Sequence, residues 1–148
     1  MKIVQITGHK KQFLDLLLIG DEEESMIERY LERGELFILR DNGVKALCVV
    51  TDEGNGVCEL KNIAVRPEAQ RQGYGGKLME YIIRHYTGKY REIIVGTGET
   101  PRTLRFYARY KFVYSHRIAR FFTDNYPRPI FEEGIQLKDM IYLKRTIA

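Results

Sequence analysis

The sequence predicts a single α/β domain in which helices flank a mixed, mostly antiparallel central sheet. Three observations support this class. The 148 residues suit one domain, residues 1–148, that buries a core of its own. Runs of strand-type residues alternate with segments of helical periodicity along the whole chain. Two turn signals, residues 41–43 and 52–56, connect three successive strands as in an antiparallel meander.

The individual elements follow one another without linkers, repeats or low-complexity segments. Asp21, followed by Glu24, resembles the N-cap and the capping-box acid of an early helix. Thr100-Pro101 begins a later helix, because threonine caps helices and proline is favoured at the first helical position. Strands are predicted over residues 2–6, 36–40, 45–51, 57–65 and 91–96, from residue 112 and over residues 140–144.

The composition disfavours several broad classes of protein. The net charge of +4 comes from scattered Lys and Arg residues without a dense basic block, so nucleic acid is not the expected partner. No apolar run reaches the length of a membrane span and no secretory leader precedes the first strand, so we expect a cytoplasmic protein with no membrane partner. Cys48 and Cys58 fit neither a disulfide framework nor a metal site, and no metal is expected.

The fourth predicted strand changes phase half-way along its length. Cys58 and Leu60 are apolar at even positions, whereas Ile63 and Val65 are apolar at odd positions. A one-residue slip of this alternation indicates a β-bulge, which leaves backbone groups unpaired with the neighbouring strand. The alternative is that both faces of the strand are buried, and the polar residue Glu59 argues against it.

A glycine-rich turn follows this strand and leads directly into a helix. It does not fit the dinucleotide fingerprint G-x-G-x-x-G, which needs glycine where Leu78 stands, or the P-loop, whose Gly-Lys is followed by Ser or Thr. It does fit Q/R-x-x-G-x-G/A. Unsatisfied N–H groups at a helix N-terminus bind anions, and glycine lets a phosphate approach the backbone; a tight turn with solvated side chains is the alternative. The candidate pyrophosphate-binding residues are Gln70, Arg71, Gln72, Gly73, Tyr74, Gly75, Gly76 and Lys77.

These segments together resemble the GNAT superfamily of acyl-CoA-dependent N-acyltransferases. The resemblance rests on residues 59–67, on the glycine-rich turn and on residues 106–112, which are similar to the family's helix ending F/L-Y-x-x-x-G-F. It extends to the order of elements along nearly the whole chain. It implies the GNAT fold with a bulged fourth strand, and acetyl-CoA as the acyl donor. Lys111 departs from the pattern, because it stands where the family has glycine.

The resemblance also implies roles for individual residues. The backbone of the bulged strand at Ile63, Ala64 and Val65 would bind the pantetheine arm, and Thr100 stands at a helix cap on the cofactor side where the family often has Asn. Tyr107 occupies the family's tyrosine position, from which a phenol protonates the departing thiolate. The alternative is a core tyrosine with its hydroxyl satisfied.

The acceptor and the base follow from the chemistry of amine acetylation. An alkyl ammonium has a pKa of about 10.4, so a base is needed at neutral pH. Glu59 is the first candidate, acting directly or through water; a surface carboxylate paired with Lys61 is the alternative. The expected acceptor is a primary amine of a small molecule or protein. The acidic residues 21–24 are a candidate wall of the acceptor site, and the alternative is that they are the acids that any helix N-terminus favours. The aromatic segment 121–134 is a candidate wall of the acceptor site or a candidate homodimer contact. A GNAT-fold sensor that binds acyl-CoA without catalysis is the alternative function.

Overall fold

A computed structural model describes the whole chain, residues 1–148, as one α/β domain. The strands are β1 Lys2–Ile6, β2 Glu35–Arg40, β3 Val44–Gly54, β4 Val57–Val65, β5 Glu92–Gly98, β6 Val113–Ile118, β7 Phe131–Glu132, β8 Ile135–Gln136 and β9 Met140–Thr146. The helices are α1 Leu14–Gly20, α2 Glu24–Ile27, α3 Tyr74–Tyr86, α4 Pro101–Arg109 and α5 Phe121–Asn125, with short 3-10 turns at Lys10–Phe13 and Pro67–Ala69.

The main sheet has seven strands in the order β1-β2-β3-β4-β5-β9-β6. The β4–β5 pair is parallel and every other neighbouring pair is antiparallel, which confirms the mixed, mostly antiparallel sheet. Strands β7 and β8 form a separate two-stranded hairpin. No helix combines the length and the apolar character needed to cross a bilayer. No cluster of three or more His, Cys, Asp or Glu side chains suited to a metal ion is present.

The two turns of the meander form at Asn-Gly pairs. Asn42 and Gly43 have φ of 55° and 96°, and Asn55 and Gly56 have φ of 55° and 76°. Positive φ at both residues matches the right-handed twist of the strands on either side. The second turn is a two-residue hairpin with Gly54 paired to Val57, whereas the first has three residues between the paired Arg40 and Val44. The second turn is tighter than predicted, because β3 continues to Gly54.

The sheet separates two hydrophobic cores. One core contains 20 buried residues and packs around α3, whose buried side chains include Leu78, Met79 and Ile82. The other contains 11 buried residues and packs around α1, with Leu16 and Leu17 at its centre. Burial of each such side chain contributes about 1.5–3 kcal/mol, so both faces of the sheet are anchored by apolar packing. Both cysteines are buried free thiols.

The predicted bulge is present in β4. Val49 pairs with Asn62 and Val50 pairs with Leu60, which leaves Lys61 as the extra residue. The slip lets Leu60 and Ile63 contribute to the same core, on either side of Lys61. The phase change in the sequence therefore predicted the bulge in this strand.

The prediction of an N-cap at Asp21 is wrong. Helix α2 is a single turn with Glu23 at its N-cap position, and the Glu23 side chain makes no capping bond. The Asp21 carboxylate accepts hydrogen bonds from Tyr30 and Tyr126 instead. Two phenol donors brought in by tertiary packing replace the local backbone donors that a capping residue would use.

Both ends of α4 fall where the sequence predicts them. Thr100 occupies the N-cap position, but its buried hydroxyl makes no hydrogen bond, and the Glu133 carboxylate accepts the Arg102 backbone N–H at 3.1 Å. At the other end Lys111 has φ of 67°, with hydrogen bonds from Lys111 N to Ala108 O and from Phe112 N to Tyr107 O. This is a Schellman ending that usually carries glycine at the left-handed position.

Candidate active site

The site begins where β4 and β5 separate. The two strands pair from Val57 and Glu92 to Leu60 and Val95, and the pairing stops at the bulge. Strand β5 continues to Gly98 along β9, so a wedge opens between β4 and β5. A cavity of about 410 Å³ occupies this wedge, which is in the size range of small-molecule sites. The residues that line it include Gly20, Asp21, Lys61, Asn62, Ile63, Thr97, Arg102, Phe106, Tyr107, Phe122, Tyr126, Glu132 and Met140.

The free edge of β4 lies along this wedge. Arg66 N–H donates to Lys45 O at 2.9 Å, so alternate residues of β4 direct their backbone groups toward β3. By this alternation Ala64 turns its backbone groups to β3, whereas Ile63 and Val65 turn theirs to the unpaired edge. The backbone groups of Ile63 and the Val65 N–H therefore face this unpaired edge, whereas the Val65 carbonyl accepts a hydrogen bond from the Gln70 side chain. Ala64, which was predicted to contact the cofactor, turns its backbone to β3 and packs in the α1 core.

The glycine-rich turn presents a row of unpaired donors. The backbone N–H groups of residues 71–76 donate to no protein group, and the first intrahelical bond runs from Lys77 N to Gly73 O. Arg71 and Gly73 have φ of 64° and 86°, and α3 begins at Tyr74. Successive N–H groups at a helix N-terminus form an anion site. We refer to the N–H groups of residues 71–76 as the turn amides.

The three glycines of the turn serve different purposes. A side chain at Gly73 would stand in open space, so this glycine supplies positive φ and an unobstructed approach. A Cβ at Gly75 would lie 3.7 Å from Phe106, an ordinary contact. A Cβ at Gly76 would collide with the Tyr110 hydroxyl, so this glycine allows α3 and α4 to pack closely.

The other predicted residues of the turn divide into structural and exposed groups. The Gln70 amide donates to Val65 O at 3.2 Å, and the Gln72 amide donates to Glu68 O at 3.3 Å. The Tyr74 hydroxyl donates to Asp41 at 2.7 Å. These three side chains hold the turn in shape. Arg71 and Lys77 are exposed and place positive charge next to the turn amides.

Tyr107 lies on the cavity wall, with a side chain that is otherwise enclosed. The residue is 5% exposed, its ring packs against Phe106 and Phe112, and no protein group hydrogen-bonds its hydroxyl. Burial, with a contribution from the Glu132 carboxylate, raises the pKa of the Tyr107 phenol. The phenol therefore keeps its proton at neutral pH and offers it to the cavity.

Glu59 lies away from the cavity wall. Its side chain is buried, forms an ion pair with Lys61 at 3.1 Å and accepts a hydrogen bond from Tyr142 at 3.2 Å. Burial raises the pKa of Glu59, and the charge of Lys61 opposes that rise. Lys61 itself lines the cavity. Thr100 is also fully buried and is not among the lining residues.

The opposite wall of the cavity is acidic and aromatic. Asp21 follows α1, Phe122 and Tyr126 come from α5 and the residue after it, and Glu132 comes from β7. The sequence signals for this wall were the acidic residues 21–24 and the length and aromatic content of segment 121–134. Arg102 carried no recognisable pattern, because it reaches the cavity only through the tertiary fold.

Comparison with known proteins assigns the family. Residues 32–114 match the family model described as "Acetyltransferase (GNAT) domain". The chain belongs to the GNAT family of acetyltransferases. The N-acetyltransferase YvbK of Bacillus subtilis (strain 168), described as uncharacterized, is 30% identical over 135 residues, which cover 89% of this GNAT chain and 87% of YvbK.

Solved structures of GNAT acetyltransferases share the whole fold. A GNAT family acetyltransferase from Elizabethkingia anophelis with acetyl-CoA bound has a TM-score of 0.92 at 35% identity, covering 98% of this chain and 97% of that one. An IAA acetyltransferase from Bacillus cereus ATCC 14579 has a TM-score of 0.89 at 28% identity, with 98% and 99% coverage. A Bacillus subtilis acetyltransferase in complex with CoA has a TM-score of 0.89 at 28% identity, with 99% of each chain covered.

These findings confirm the predicted fold, the N-acetyltransferase class and acetyl-CoA as the donor substrate. The residues of this GNAT chain suit that donor. The turn amides provide the donors that a pyrophosphate requires, and the unpaired edge of β4 at Ile63 and Val65 provides the backbone groups that an extended amide-bearing arm requires. Ile63, Phe106 and Tyr107 line the same cavity, and Phe106 also lies beside Gly75 of the turn.

Proposed function

We propose that this enzyme transfers the acetyl group of acetyl-CoA to a primary amine by direct attack, with both substrates bound at once. The observation that carries the proposal is one continuous cavity. It touches the free edge of β4 at Ile63, the Tyr107 hydroxyl and the acidic wall that includes Asp21. A donor arm and an amine therefore have room to meet beside a proton donor.

A covalent acyl-enzyme has no support in the structure. Cys48 and Cys58 are both buried, and neither lines the cavity. Burial raises the pKa of Cys58 to about 12 and raises that of Cys48 still further, so neither is a thiolate at neutral pH. Direct attack by the amine needs no such nucleophile.

We propose Tyr107 as the general acid of this reaction. A new bond joins the amine nitrogen to the acetyl carbon while the carbon–sulfur bond breaks, and the departing thiolate needs a proton. Tyr107 holds a proton at its phenol oxygen, because burial disfavours the phenolate. The proton passes to sulfur, and the tyrosine is restored by a proton from solvent or from the amine.

Glu59 is the proposed general base, acting through water. Its carboxylate is separated from the cavity by its own ion pair with Lys61, so direct contact with the amine is not part of the proposal. Burial raises its pKa above the ordinary carboxyl value, although the charge of Lys61 opposes the rise, and a higher pKa makes a carboxylate a better proton acceptor. The amine acceptor is a small molecule or the side chain or terminus of a protein.

A screen of amines with acetyl-CoA, following the release of free thiol, tests the proposal. We expect transfer to at least one primary amine, with initial-rate lines that intersect when both substrates are varied. Parallel lines would indicate a covalent intermediate and contradict direct attack. Tight acetyl-CoA binding without transfer to any amine would instead favour an acyl-CoA sensor.

A further inference from the structure

Asp21 holds a fixed position on the acceptor wall of the cavity. It follows α1 with extended backbone, and its backbone N–H donates to Leu17 O at 3.0 Å, so the main chain is tied to the helix. Gly20 next to it lies against Asn62, and a Cβ there would collide with the Asn62 amide oxygen. The chain therefore approaches β4 closely at this point, and the Asp21 side chain lines the cavity.

Two tyrosines hold the Asp21 carboxylate, Tyr126 from the cavity wall and Tyr30 from outside the cavity. Tyr126 donates to Oδ1 at 2.7 Å and Tyr30 donates to Oδ2 at 3.2 Å. A carboxylate has about four lone-pair sites, so each oxygen keeps one for a further donor. No cation of the protein forms an ion pair with Asp21, in contrast to Glu59 with its partner Lys61.

Two further polar side chains line the same cavity and have a polar atom without a protein partner. The Asn62 residue is 3% exposed and its amide nitrogen donates to Leu17 O and to the Tyr30 hydroxyl, which leaves the amide oxygen without a hydrogen bond. That oxygen lies against Gly20. The Tyr107 side chain also lines the cavity and makes no hydrogen bond to another protein group. Polar groups are normally satisfied, so this phenol can bind a polar ligand within the cavity.

The remaining lining of the acceptor wall is largely apolar. Ile19, Phe122, Tyr126 and Met140 contribute aliphatic or aromatic surface beside Asp21. The charged groups that share the cavity with Asp21 are Glu132, Lys61 and Arg102, and Glu23 lies beside it in sequence. Of the two cations, Lys61 is already paired with Glu59. An acceptor that suits this wall has one cationic head and an apolar body.

We propose that Asp21 binds the acceptor amine as its ammonium ion, which makes it the residue that selects a monocationic amine with an apolar or aromatic body. This inference rests on the proposed function, since it names the acceptor class of that same site. Asp21 contributes charge and a hydrogen bond to the ammonium before the amine loses its proton to the base. Loss of a hydrogen bond to a charged group changes binding by about 10- to 100-fold.

Binding of two isosteric probes to the CoA-loaded enzyme tests the inference independently of turnover. The probes are 2-phenylethylamine, which is cationic at pH 7, and 2-phenylethanol, which has the same shape without the charge. By calorimetry we expect the amine to bind at least about 10-fold more tightly than the alcohol. Asp21→Asn should abolish this preference and leave the affinity for CoA and for the alcohol unchanged.

Two further variants separate charge from structure. Asp124→Asn changes an exposed aspartate of α5 and should keep the full preference. Tyr126→Phe removes the donor to Oδ1 but keeps the charge, so it should reduce the preference less than Asp21→Asn does. A preference for the amine that survives Asp21→Asn overturns the inference, and so does a failure of both probes to bind. Amine binding that depends on Asp21 without any acetyl transfer would instead overturn the proposed function alone.

Discussion

The Tyr126 hydroxyl donates a 2.7 Å hydrogen bond to Asp21 Oδ1, and it joins residues that are 105 positions apart in the chain. The bond links the segment after α5 to the loop after α1, directly over the wedge between β4 and β5. The donor side of the site needs only β4, the glycine-rich turn and α4. The acceptor side forms only when these two distant segments meet.

Replacement of Tyr107 by phenylalanine should lower kcat and leave the KM for acetyl-CoA nearly unchanged. The ring and its packing stay, while the proton donor for the thiolate is lost. General acid catalysis contributes about 100-fold or more, so a loss of that size is expected in steady-state kinetics. Tyr114→Phe, at an exposed position on β6, is the matched control and should keep wild-type kcat. Wild-type turnover by Tyr107→Phe would rule out the general-acid assignment.

Gly73→Val should weaken CoA binding, because its side chain stands in the open space through which a pyrophosphate approaches the turn amides. Gly88→Val is the matched control, since Gly88 has nearly the same φ, 85° against 86°, and equally open surroundings. Both variants should lose about 1–2 kcal/mol of unfolding free energy from left-handed strain. Only Gly73→Val should lose CoA affinity in calorimetry, and an equal loss in both would contradict a pyrophosphate site at the turn.

Lys61→Met should move the acidic limb of the pH–rate profile to higher pH. Burial raises the pKa of Glu59 and Lys61 lowers it, so removing the lysine charge raises the pKa further. A base must be ionised to act, so activity rises as pH increases through that pKa. The measurement is kcat/KM between pH 5 and 9, with Lys89→Met at an exposed site as the control. An unmoved limb would exclude Glu59 as the base.

Gly76→Ala should destabilise the protein in the wild-type background and stabilise it in a Tyr110→Phe background. The added methyl group collides with the Tyr110 hydroxyl, which overpacks the α3–α4 contact and costs about 1 kcal/mol or more. Without that hydroxyl the favourable helix propensity of alanine contributes about 0.5–1 kcal/mol. Denaturant unfolding of the wild type, the two single variants and the double variant gives the sign of the stability change caused by Gly76→Ala in each background. Additive effects would show that the two positions do not touch.

Lys111→Gly should raise the free energy of unfolding by about 0.5–1 kcal/mol, because glycine avoids the left-handed strain of a non-glycine residue. Lys111 has φ of 67° in the Schellman ending of α4. Lys111→Ala removes the same side-chain charge without relieving the strain, so it should not stabilise. Equal unfolding free energies for the glycine and alanine variants would contradict this explanation. Kinetic constants should not change in either variant.

Local patterns were sufficient to predict the backbone features on the donor side of the cavity. The phase slip predicted the bulge of β4, and the glycine-rich turn predicted the start of α3. The position of Tyr107 follows from the sequence pattern near the end of α4. The left-handed conformation of Lys111 follows because this residue stands where the family pattern has glycine. Each of these features is encoded within a few consecutive residues, because bulges, caps and turns depend on backbone conformation and nearest neighbours.

The sequence misled where a residue's environment depends on distant segments. Glu59 looked like a polar strand position, yet Tyr142 of β9 and Lys61 enclose it. The sequence predicted Asp21 as a helix cap, but its carboxylate accepts hydrogen bonds from tyrosines of two other segments. The α4 cap bond comes from Glu133 of the β7–β8 turn rather than from Thr100. None of these partners has a fixed spacing in the chain.

By itself the sequence determined the fold class, the bulge, the glycine-rich turn before α3 and the family resemblance, since these depend on short-range periodicity and turn chemistry. Only the tertiary structure decided which carboxylates face the cavity and which are enclosed. Desolvation, ion pairing and the pKa of a side chain depend on atoms within a few ångströms in space, whatever their separation along the chain. The hydrogen bond between Tyr126 and Asp21 is such a contact, and it completes the wall against which the acceptor amine binds in our proposal.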